Sequence, residues 1–294
     1  FVSGEIVYRG YNQEQLDAQY NNRQRYPEFT GIFEDWEKWS AETQKKLPAQ
    51  LDVPYGDLPC ETLDIFPAAE AGAPIQVMVH GGYWYSLDKK HDSFVAEGLR
   101  PNGVTTVVIN YGLTPEYGMD EIVRQTRAAL AWVWRNAASF DADRERIYTV
   151  GQSAGGHLVM MLMATDWPAF EDGLPAGLVK GGASMSGIYD LEPIRLCYLN
   201  NKVGMDEDVA QRNSPIHQTY PVALPLMVIS GDIESDEYGR QAEAMQAVWQ
   251  NLGYPFEHIK LPGYNHFTMA HQLREPKSDM TRALLRQMKM DGGS

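Results

Sequence analysis

Short apolar, β-branched runs, each followed by a stretch with helical spacing, constrain the fold of this chain more than any other feature. Residues 75–79 (IQVMV) and 104–109 (VTTVVI) carry no charge, as strands buried on both faces should. Further strands are expected at residues 146–150, 182–185, 226–230 and 256–261, with helices at 121–136, 154–164 and 238–252. Strand–helix alternation at this spacing predicts an α/β fold, a mostly parallel central sheet with helices on both faces. With 294 residues, 44% of them apolar, the chain can bury a large core. No repeat or low-complexity linker divides it, so residues 1–294 are read as one domain.

Two segments depart from the alternation. The first fifty residues read as a helical extension. Asn12 and Gln15 have the spacing of a capping box, opening a polar helix through Leu16 and Tyr20. A second helix puts Ile32, Phe33, Trp36, Trp39, Thr43 and Leu47 on one face and stops near Pro48. Residues 189–221 show no clear strand and are read as a short helical cap inserted at the carboxyl side of the sheet.

Chemistry enters at Gly151-Gln152-Ser153-Ala154-Gly155, between the strand RIYTV and the helical run HLVMMLMA. A serine on so sharp a strand-to-helix turn projects its hydroxyl from the sheet's edge toward a helix N-terminus, so Ser153 is the expected nucleophile. His80-Gly81-Gly82-Tyr83-Trp84 directly follows IQVMV. Glycines let backbone amides turn inward, and an oxyanion needs two or three such donors. Gly82, Tyr83 and Ala154 are the expected oxyanion hole, with His80 bracing the loop. Trp84 and His157 are candidates for the substrate pocket, His157 otherwise being a satisfied core residue.

The general base must come late in a chain of this order. His266 lies in a Gly-containing loop (LPGYNHF) past the last strand, where an imidazole can swing over the nucleophile. The other histidines are read as surface or cap positions, and none has metal-ligand spacing, so neither a metal nor a cofactor is expected. The orienting acid belongs to the loop after residues 226–230. Counting three residues on from Gly231 selects Glu234, with Asp232 and Asp236 as the alternatives. Ser153, Glu234 and His266 in that order form a catalytic triad.

The net charge of −14 argues against nucleic acid as a partner and mildly repels anionic substrates unless a local cation reverses the sign. No apolar run is long enough to cross a membrane. With only two cysteines and no signal-like segment, a cytoplasmic protein is expected. The aromatics of the first fifty residues could pack on the core, rim a pocket or join two copies into a homodimer.

This constellation resembles the α/β-hydrolase superfamily. HGGYW, the segment YNQEQLDAQYNNR from Tyr11 to Arg23, and Glu234-Ser235-Asp236-Glu237-Tyr238 with Arg240-Gln241 are similar to the kynurenine formamidase (arylformamidase) family. The resemblance implies a cofactor-free serine hydrolase that cleaves an N-formyl aryl amide through an acyl-enzyme on Ser153. Many members use Asp as the triad acid, where this chain offers Glu. The same machinery serves a carboxylesterase, or a carbamate or ring-opening amide hydrolase acting on a small aromatic substrate.

Overall fold

A computed structural model describes residues 4–290. The chain opens with a hairpin of β1 (Ile6–Tyr8) and β2 (Tyr11–Asn12), then α1 (Gln13–Tyr20), α2 (Asn22–Arg25) and α3 (Phe29–Lys46). The capping box forms: the Asn12 side chain accepts from the Gln15 amide at 2.9 Å, and the Gln15 side chain accepts from the Asn12 amide at 3.1 Å. Next come β3 (Gln50–Pro54), β4 (Thr62–Phe66), β5 (Ala73–Val79), α4 (Ala96–Leu99), β6 (Thr105–Ile109) and α5 (Met119–Asn136). After them run β7 (Ala142–Gln152), α6 (Ala154–Met163), α7 (Trp167–Phe170) and β8 (Val179–Met185). Residues 189–221 hold three short helices, α8 (Glu192–Leu196), α9 (Asn200–Val203) and α10 (Glu207–Arg212). The chain finishes with β9 (Leu226–Gly231), α11 (Asp236–Leu252), β10 (Phe256–Leu261) and α12 (Asp279–Gln287).

Eight strands form one sheet in the order β10-β9-β8-β7-β5-β6-β4-β3. The six from β10 to β6 are parallel, and β4 and β3 continue the edge antiparallel. Successive side chains of a strand face opposite ways, and both faces are apolar. Ile75, Val77 and Val79 of β5 join one core with α5, α6 and α11, while Met78 joins the other with α3, α4 and α12. This is the α/β-hydrolase fold. It places β7 at the centre of the sheet and buries every residue of α6 directly behind it.

The strands β3 and β4 and the helix α12 escape the sequence pattern. β3 reads QLDVP, mixed and proline-ended, and its pairing slips between Gln50 and Val53. A charge cluster pins this edge instead: Lys89, itself buried, bonds Asp64 at 2.7 Å and Asp52 at 2.6 Å. Among the described residues no helix is long and apolar enough to cross a membrane.

Candidate active site

The turn between β7 and α6 is held by contacts only glycine permits. A Cβ on Gly151 would lie 2.4 Å from the Gly155 carbonyl oxygen, and one on Gly155 would lie 2.0 Å from the Val79 carbonyl oxygen. Between them Ser153 sits at φ 57°, ψ −117°, a strained conformation for a side-chain-bearing residue. The turn is anchored by the Ser153 amide, which donates to the Met185 carbonyl of β8 at 2.8 Å.

His266 arrives on the loop after β10 and is almost fully buried. Its Nδ1 lies 2.8 Å from Glu234 Oε1. A carboxylate accepts only, so Nδ1 carries the hydrogen and Nε2 keeps the free lone pair that a base requires. The other Glu234 oxygen accepts from the Gly231 amide at 3.0 Å and from the Ser186 hydroxyl at 2.8 Å. Glu234 is therefore the carboxylate that reaches the imidazole. Asp232 and Asp236 are exposed, and Asp232 accepts from the Gly263 amide.

Backbone bonds zip the acid loop to the histidine loop, from Asp232 to Leu261 and from Ile233 to Tyr264. The Gln152 side-chain amide donates to the His266 carbonyl, tying the same loop to the nucleophile turn. Neither Ser186 nor Gln152 was singled out as functional from the sequence. Gln152 stands inside the glycine motif, and that position was the available signal.

In the loop after β5, Gly82, Tyr83 and Trp84 all take positive φ, at 105°, 50° and 60°. A Cβ on Gly82 would lie 2.0 Å from the Ser86 carbonyl oxygen. The amides of Gly82, Tyr83 and Ala154 have no acceptor among the described residues. His80 braces this loop as expected: Nδ1 bonds the Gly81 carbonyl at 2.8 Å, and the ring stacks on Tyr111 at 4.0 Å. Burial lowers its pKa to about 4, so it stays neutral.

Trp84 and His157 are corrected by the structure. Both are fully buried and stand outside the cavity lining. Trp84 Nε1 donates to His157 Nδ1 at 3.1 Å, and His157 Nε2 donates to the Asn213 carbonyl at 2.8 Å. Both ring nitrogens are thereby committed, and the pair supports the floor beneath the loop. His91 is likewise buried rather than superficial, its Nδ1 bonded to the Asp88 carbonyl.

Ser153 and His266 line one cavity together with Gly81, Gly82 and Tyr83. The first fifty residues supply Asn22, Arg23, Phe33 and Trp36 to its wall, and the segment 189–221 supplies Tyr198. Asn22 donates to the hydroxyls of Tyr83 (3.0 Å) and Tyr238 (2.9 Å), and those hydroxyls are 2.7 Å apart. The Tyr238 ring lies 4.5 Å from that of His266. A nucleophilic hydroxyl, an oriented imidazole and unpartnered amides facing one aromatic cavity can carry out acyl transfer.

Residues 63–247, more than half of the chain, match the family model described as BD-FAE. The kynurenine formamidase of Salmo salar is 32% identical over 246 residues, 81% of either chain. That of Danio rerio is 30% identical over 243 residues, 80% of either chain. Among solved structures, a Silicibacter protein provisionally assigned as a thioesterase superposes with a TM-score of 0.81 at 26% identity, covering 91% of this chain and 98% of its own. The chain is thus a hydrolase of the α/β-hydrolase fold, belongs to the BD-FAE family, and resembles the kynurenine formamidases.

Proposed function

We propose that the chain hydrolyses aryl formamides of the N-formylkynurenine kind through an acyl-enzyme on Ser153. The observation that carries this reading is the cavity itself, where aromatic side chains wall the space in front of Ser153 and His266 and suit an aryl leaving group. Four-fifths coverage by two relatives named kynurenine formamidase supports it.

In the first step Ser153 Oγ attacks the formyl carbon while His266 Nε2 takes its proton. The oxyanion is received by the amides of Gly82, Tyr83 and Ala154, each such donor being worth about 3 kcal/mol. Glu234 holds the imidazolium. The C–N bond then breaks as His266 returns the proton to the departing arylamine nitrogen. Water, deprotonated by His266, attacks the formyl ester, releasing formate and restoring Ser153. Ester substrates pass through the same steps with an alcohol leaving, which keeps a carboxylesterase in play.

Purified protein is to be assayed on N-formylkynurenine, formanilide, a phenyl carbamate, and p-nitrophenyl acetate and butyrate, with Ser153→Ala as the blank. Highest kcat/KM on the formamides is the expected result. Cleavage of the nitrophenyl esters with no turnover of either formamide sinks the formamidase reading and leaves the esterase.

A further inference from the structure

We propose that Arg23 is a specificity determinant that recruits substrates bearing an anionic group, a carboxylate foremost, on the aryl leaving side. Arg23 sits on α2 and lines the cavity with Ser153 and His266. Among the described residues it is the one Lys or Arg lining this cavity, and no Asp or Glu lines it. In a chain of net charge −14, that reverses the sign of the local field where a substrate enters.

The guanidinium is held but not neutralised. Its carbon lies 5.4 Å from the Phe29 ring centroid and 5.9 Å from that of Tyr85, and Nη2 donates to Ser86 Oγ at 3.0 Å. Ser86 Oγ in turn donates to the Gly82 carbonyl at 3.0 Å, so the cation is connected to the loop expected to hold the oxyanion. Among the described residues Arg23 makes no ion pair, whereas Arg124, Arg195, Arg212 and Arg240 each bond a carboxylate. A guanidinium offers five N–H donors in a planar fork that fits a carboxylate. The one bond to Ser86 leaves most of that fork open. Its positive charge also reaches the Tyr85 and Tyr198 phenols, both on the cavity wall. Arg23 precedes residues 63–247, so the family model does not reach it.

The proposal rests on Ser153 being the nucleophile of this cavity, not on which acyl group is cleaved. Its test uses Arg23→Met, which keeps the apolar stem, and Arg23→Lys, which keeps the charge without the fork. The first readout is the ratio of kcat/KM for N-formylkynurenine to that for its methyl ester. The second, independent of formamide turnover, is protection of Ser153 from a fluorophosphonate probe by benzoate relative to benzamide. Arg23→Met is expected to lower both anionic-to-neutral ratios about 10- to 100-fold, chiefly through KM in the first, with Arg23→Lys in between. Added salt should compress the wild-type ratios. Ratios unchanged in Arg23→Met, or a wild type that treats benzoate and benzamide alike, overturn the proposal and leave Arg23 a packing residue. Wild type inert on both formamides but protected by benzoate overturns the formamidase reading alone. Should Arg23→Met fail to fold, the Arg23→Lys ratio and the wild-type preference decide the matter.

Discussion

Replacing Glu234 by Gln should cripple the enzyme more than replacing it by Ala, because of which hydrogen bonds the carboxylate accepts. One oxygen takes the Nδ1 hydrogen of His266 at 2.8 Å, and the other takes the Gly231 amide and the Ser186 hydroxyl. Glutamine supplies one acceptor oxygen and one NH₂. The Gly231 amide is a fixed donor, whereas the imidazole can move its hydrogen from one nitrogen to the other. The amide oxygen therefore turns to Gly231, and the NH₂ faces His266 Nδ1. That forces the hydrogen onto Nε2 and removes the lone pair that must take the serine proton. The charge term adds to this. At 2.8 Å and an effective dielectric near 20, a carboxylate–imidazolium pair is worth about 6 kcal/mol, about four powers of ten in rate. The acid-to-amide change in serine proteases costs a similar factor of about 10⁴ for the same tautomeric reason. The assay is the acylation burst with p-nitrophenyl acetate, measured for Glu234→Gln, Glu234→Ala, Asp232→Asn and Asp236→Asn. A Gln variant within about tenfold of wild type, or one faster than the Ala variant, refutes the reasoning. An equal loss in either Asp variant would move the acid elsewhere.

Gly155→Ala puts a Cβ 2.0 Å from the Val79 carbonyl oxygen and 2.7 Å from that of His80, and is expected to cost about 3 kcal/mol or more, read by urea unfolding; a loss under about 1 kcal/mol contradicts the close fit of the turn. Gln152→Ala removes the tie to the His266 carbonyl and is expected to lower kcat about tenfold at near-constant KM. An unchanged kcat would mean that the loop is held by its internal bonds, the Asn265 amide to Thr268 Oγ1 at 3.0 Å and the Thr268 amide to Asn265 Oδ1 at 2.9 Å. Burial, with Asp88 nearby, raises the carboxyl of Asp92 to about 7, so between its ordinary range and that value the folded chain binds more protons than the unfolded one. Stability then falls as pH rises through about 7. Asp92→Asn should flatten that fall, by up to about 4 kcal/mol, and parallel Tm-against-pH curves for the two proteins count against it.

The legible parts of the site are those whose cause is local. Gly151 and Gly155 are dictated by backbone contacts within one turn, so the motif around Ser153 betrays itself in five residues. Glu234 follows from counting along one loop, and His266 from its place after the last strand. Ser186 could not be found this way. It reaches Glu234 from the end of β8, 48 residues away, and nothing in Met-Ser-Gly marks it. Trp84 was misplaced because its neighbours in sequence line the cavity. Its own φ of 60° belongs to a turn that sends the indole down to His157. The face of α3 was read correctly as apolar, but packing and lining a pocket impose the same pattern on Phe33 and Trp36.

The first fifty residues reach further into the chemistry than their helical pattern suggests, and a count of hydrogens shows how. The Tyr83 hydroxyl donates its one hydrogen to the Tyr20 carbonyl at 2.7 Å, an acceptor that cannot reciprocate. Toward Tyr238, 2.7 Å away, Tyr83 can then only accept, so Tyr238 spends its own hydrogen on Tyr83. Asn22 donates to both phenols. Tyr238 thus has only lone pairs left to offer any further partner. A backbone carbonyl of α1 thereby commits the Tyr238 hydrogen to Tyr83 and prevents Tyr238 from donating to an oxyanion. In the proposed mechanism, stabilising that charge is therefore left to the amides of Gly82, Tyr83 and Ala154.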